Sequence, residues 1–142
     1  MTLAQRNLQS ARLIHVAFLF AAIAYTAIPF LISLPAVHPP TTVLILAFGV
    51  VSFSALAAGF FIRSRLVQAA SEALHSNPED SAAAARWRTG VILSLVFCET
   101  VLLFGFTLRI LGGSWNVCGV FYGVGIFFLL AWTPRLELPP SS

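Results

Sequence analysis

Glu99 is the residue with the most to say about chemistry. It is one of only five acidic residues in 142 and sits inside an otherwise uncharged apolar stretch, eleven residues past Arg88. Eleven helical residues span about 16 Å, which places the carboxyl near the middle of a bilayer if the stretch crosses one. A charge at that depth costs about 3 kcal/mol on insertion scales. The neutral acid is therefore the cheaper state, and a carboxyl that holds its proton in lipid is a candidate proton or ion site. The plainer reading is a protonated glutamic acid that hydrogen-bonds a neighbouring helix. Counting eleven residues from the other arginines predicts comparable depth for Ser52 and for the neighbourhoods of Tyr25 and Tyr122. These three hydroxyls are the candidate partners of Glu99, although such a hydroxyl more often just satisfies itself in its own surroundings.

Other reactive groups point nowhere. Cys98 and Cys118 differ in expected depth by about 10 Å, too far for a disulfide, whose Cα atoms lie within about 7 Å, so both are expected to be free thiols. His15 and His75 fall towards one membrane face and His38 towards the other. A haem held between helices needs two ligands at facing depths, and none pair up. No Cys/His cluster suggests a metal. No nucleophile–base pair, phosphate loop or carboxylate cluster appears either, so neither an enzyme nor a cofactor is expected.

The elements that must position Glu99 are membrane helices. Hydrophobic residues make up 58% of the chain and charged residues 9%, against about 25% charged in soluble domains. A surface this poor in charge has to face lipid. Four apolar runs, at about 13–34, 43–62, 89–110 and 115–133, are each near the ~20 residues that cross a hydrocarbon core. The expected fold is an all-α, single-domain, integral membrane four-helix bundle. The first run is too long for the 7–15-residue core of a typical signal peptide. In the fourth, Trp115 and Trp132 are 17 residues apart, about 26 Å, as interfacial anchors should be.

Orientation follows from arginine. Arg6, Arg12, Arg63, Arg65, Arg86, Arg88 and Arg135 fall on one side of the four runs, and only Arg109 on the other. The positive-inside rule then puts both termini in the cytoplasm, with a helical hairpin at 63–88 projecting there. The net charge of +3 marks topology, not a nucleic-acid surface. In the hairpin turn, Asn77 is the expected N-cap of the third helix and Pro78 its first residue. Small residues mark expected packing faces: Gly49, Ser52, Ala55 and Gly59; Gly90, Ser94 and Cys98, with Gly105; and a GxxxG at Gly119 and Gly123. Such faces let helices approach closely in lipid and predict a homo-oligomer or a partner membrane subunit. The stripe of Gly90, Ser94 and Cys98 lies about 100° or more around its helix from Glu99, so Glu99 is expected to face a different neighbour.

From Ala57 to Ile110 the chain resembles the hairpin of rotary ATP synthase subunit c. The likeness rests on Ala57-Ala58-Gly59, the polar turn Ser76-Asn77-Pro78-Glu79, and the run from Arg88-Thr89-Gly90 through Cys98-Glu99-Thr100. It implies that Glu99 occupies the place of the proton-binding carboxyl and that the polar turn is cytoplasmic. The whole chain also resembles small four-helix bacterial inner-membrane proteins. Three functions follow as expectations: a subunit-c-like proton-binding subunit, a structural or accessory subunit of a membrane complex, and a small proton-coupled exporter like the four-helix transporters that use one membrane glutamate.

Overall fold

The computed structural model describes residues 2–32 and 40–136, and over these the chain is helical with no strand. Helix α1 runs Leu3–Leu31 and α2 runs Thr42–Ile62. A π-helical turn, Arg63–Val67, carries α2 without a break into α3, Gln68–Ser76. Helix α4 is Ser81–Ile110 and α5 is Trp115–Ala131. The result is four helical rods. Three of them, Leu3–Leu31, Thr42–Ser76 and Ser81–Ile110, are long and apolar enough to cross a membrane; α5 is apolar but has 17 residues. Large apolar side chains cover the outside, Phe30 (77% exposed), Val43 and Phe53 (each 76%) among them, as a lipid-facing surface requires.

The rods form a hub. Helix α4 packs on α1, α2, α3 and α5, and α1 touches α5. Leu95, Leu102 and Leu108 of α4 are fully buried. Close approach sets the seams. A Cβ on Gly125 would lie 2.6 Å from Leu102 Cγ, and one on Gly105 2.9 Å from Phe121 Cβ, so α4 and α5 meet almost backbone to backbone. On the other side, Gly90 abuts Val67 and Leu66, and Gly59 abuts Trp132 and Phe97.

The polar turn differs from the sequence expectation. Asn77 ends α3, and the N-cap of α4 is Asp80. The Asp80 carboxylate accepts from Ala82 N (2.9 Å) and Ala83 N (3.0 Å), which satisfies two of the orphan donors of a helix start. Asn77 Oδ1 instead accepts from Glu79 N within the turn.

Helix α1 starts ten residues earlier than its apolar run. Thr2 and Gln5 form a capping box. The turn supplies the remaining acceptors: Pro78 O takes Ala4 N (3.2 Å) and Glu79 Oε1 takes Leu3 N (3.2 Å). Ala4 and Ala11 are buried with Ala70, Leu74, Ala83 and Trp87, so the head of the molecule is a three-helix cluster and not a bare hairpin. The end of the first run at Leu34, the loop with His38 and the tail with Pro139 and Pro140 lie outside the described residues.

Candidate functional site

The site begins with a proline. Pro29 lies in the last turn of α1 and has no N–H, so the carbonyl four residues earlier, that of Tyr25, lacks its helical donor. The Tyr122 hydroxyl of α5 donates to that carbonyl at 3.1 Å. The bond pins α1 to α5 at one level. The Tyr25 phenol lies beside the Glu99 carboxyl of α4. Its ring also packs on Phe106, centroids 5.4 Å apart.

Glu99 is 9% exposed. Its Oε2 is buried with no hydrogen-bond partner among the described residues. A carboxyl with one phenol beside it and one bare oxygen, in an apolar wall, is arranged for the neutral acid. The carboxyl faces α1, whereas Gly90 and Gly105 on the small-residue stripe face the π-turn and α5. The two faces of α4 thus serve different neighbours.

Of the three expected partners, Tyr25 lies beside Glu99, whereas the Tyr122 hydroxyl donates to the Tyr25 carbonyl and not to Glu99. Ser52 is elsewhere. It lines a groove of about 200 Å³ with Gly49, Leu56, Val101, Phe121 and Val124, and its own hydroxyl is unpartnered, so it does not bond Glu99. Equal counts from different arginines do not give equal levels, for a clear reason. Gly90 is level with Val67, so Arg88 belongs to the head and lies beyond Arg63. Gly125 packs on Leu102 and the Cys98 carbonyl, which makes Glu99 level with Gly125. Glu99 is then about 10 Å along α5 from Trp132 and about 15 Å from Trp115. That is about 2 Å to the Trp132 side of the midpoint between the two tryptophans.

Ser94 Oγ donates to the Val91 carbonyl and, with Ala55 and Gly59, is buried in a helix seam. Gly49, Gly119 and Gly123 have nothing within 4 Å of where a Cβ would stand. These three meet no other helix among the described residues, while Gly125, two residues past the GxxxG, makes a close α4–α5 contact.

Two contacts carried no sequence signal of their own. His15 is buried, its Nε2 2.8 Å from the Leu129 carbonyl, and Arg63 donates to the Trp132 and Thr133 carbonyls. Both satisfy the carbonyls that the C-terminal end of α5 leaves open. Arg109 lies 4.5 Å over the Trp115 ring and donates to the Gly113 carbonyl. Cys98 and Cys118 are buried free thiols, and the described residues contain no cluster of three metal-ligating side chains. Comparison with family models, curated proteins and solved structures returns no match.

Proposed function

We propose that this chain is a non-enzymatic, multi-pass protein of the bacterial inner membrane whose Glu99 binds and releases a proton, as the likeness to subunit c implies. One observation carries the reading: a carboxyl on the central helix is buried and keeps one oxygen with no hydrogen-bond partner among the described residues. Dicyclohexylcarbodiimide reacts with protonated carboxyls in apolar surroundings, so in liposomes it modifies Glu99 and spares the exposed Glu72 and Glu79. Glu99→Gln removes the adduct and keeps the fold, because the amide retains the shape and a hydrogen bond. Peptide mass mapping reads both. Absence of an adduct at Glu99, or equal adducts at Glu72, Glu79 and Glu99, contradicts the reading.

A second reading has its own support. Tyr122, Tyr25 and Glu99 join α5, α1 and α4 in one chain of contacts, which suits an accessory subunit in which Glu99 is interhelical glue. Glu99→Leu separates the two. The glue reading predicts lost assembly, and the proton-site reading predicts an assembled protein without the adduct.

The topology proposed is both termini in the cytoplasm, supported by the arginine asymmetry. A reporter fused after Ser142 is then active only if it is a cytoplasmic reporter; activity of a periplasmic reporter there overturns the orientation. The outward-facing Gly119 and Gly123 offer a close-approach face for a second copy or a partner membrane subunit.

A further inference from the structure

The π-turn faces a cationic pocket. Arg63, Ser64, Gln68 and Ser71 form one wall, Trp132 and Arg135 the other, around a cavity of about 330 Å³. None of its described lining residues is acidic, and the positive charges of Arg63 and Arg135 repel each other across it. Arg63 uses its two terminal nitrogens on the Trp132 and Thr133 carbonyls, but a guanidinium carries five N–H donors, so donors remain. Two like charges held together beside hydroxyl and amide donors, with no acid, constitute an anion site. A π-turn interrupting an α-helix is itself frequent at functional sites.

The position of the pocket selects the anion. Phe60 lines it, and Phe60 and Phe61 are 65% and 60% exposed on the apolar outer wall. An acyl chain can lie on these rings while its headgroup enters the pocket. Arginine forks match phosphate oxygens, and basic pockets between helices at the cytoplasmic face bind anionic headgroups. We infer that this pocket binds the phosphate of an anionic phospholipid, recognised by Arg63 and Arg135 with Gln68 and Ser71 as neutral donors. The inference rests on the membrane placement proposed above and is independent of Glu99.

The test is native mass spectrometry of the full chain extracted from bilayers of equimolar phosphatidylglycerol and phosphatidylcholine. The wild type retains phosphatidylglycerol preferentially. Each arginine near a charged lipid surface contributes about fivefold, so Arg63→Gln with Arg135→Gln lowers the preference about 25-fold. Arg6→Gln with Arg12→Gln, an equal loss of charge on the same side but outside the pocket, lowers it markedly less. Equal preference in the two double variants overturns the proposal. So does inorganic phosphate that binds alone and displaces no lipid, which assigns the pocket to the free ion. If loss of Arg63 unfolds the end of α5, seen as lost helicity by circular dichroism, the exposed Arg135→Gln alone carries the test with about a fivefold drop. Carbodiimide labelling of Glu99 is unchanged in every arginine variant that folds, so this result and the proton-site result fail separately.

Discussion

Gly125→Ile unfolds the contact between α4 and α5, whereas Gly119→Ile and Gly123→Ile leave the monomer as stable as before. The new Cβ at residue 125 would stand 2.6 Å from Leu102 Cγ, 2.7 Å from Leu102 Cδ2 and 3.4 Å from the Cys98 carbonyl oxygen. Leu102 is fully buried and cannot step aside, and isoleucine adds three more carbons behind the first. Overpacking a filled core costs about 1–3 kcal/mol, and here two helix backbones must separate, so the upper end applies. Residues 119 and 123 have open space instead, and surface substitutions shift stability by no more than about 0.5 kcal/mol. Denaturant unfolding in detergent micelles, followed by helicity, measures all three. Equal destabilisation at the three positions contradicts the assignment of faces on α5. Lost self-association in the Gly119 and Gly123 variants, with unchanged unfolding, places a partner on that outer face.

The same helix shows what the sequence could and could not reveal. Apolar run length needs no tertiary information, so the helices at 42–62, 81–110 and 115–131 fall close to their expected places. A GxxxG spacing says that a helix has a smooth face but not which neighbour covers it. Gly125, outside the motif, faces α4 because α5 turns its Cys118, Tyr122 and Leu129 side inwards, and that rotation depends on what the other helices present. The head was only partly legible. Residues 3–12 are too polar to register as a membrane helix, and their helical state rests on acceptors lent by Pro78 and Glu79, 70 or more positions away.

Depth misled for a related reason. Counting from arginines assumes that all of them lie at one interface, yet the head lifts Arg88 away from the level of Arg63. The site itself was half legible. Tyr25 and Tyr122 were among the expected partners of Glu99, but the signal that organises them is Pro29. A proline four residues after Tyr25 exposes a carbonyl, and an exposed carbonyl in an apolar wall requires a donor. That inference was available from spacing. The identity of the donor, on a helix nearly a hundred residues away, was not. Ser52 met the same depth criterion and yet lies in a separate groove, because it was counted from Arg63, which is not level with Arg88.

The proton on Glu99 is the point on which the functional reading turns, and infrared spectroscopy reads it without relying on reagent access. In lipid bilayers, the spectrum of the wild type minus that of Glu99→Gln isolates one carboxyl. An ionised carboxylate in an apolar wall has to recover a desolvation cost of several kcal/mol, and one phenol with one bare oxygen does not supply it. The difference spectrum at neutral pH therefore contains the C=O stretch of a protonated acid and lacks the paired carboxylate bands. On alkalinisation the C=O band gives way to carboxylate, and it returns when the pH is restored, as a site that binds and releases a proton requires. Carboxylate bands at neutral pH contradict the account outright, and a C=O band that persists unchanged through strongly alkaline pH leaves Glu99 as a structural acid.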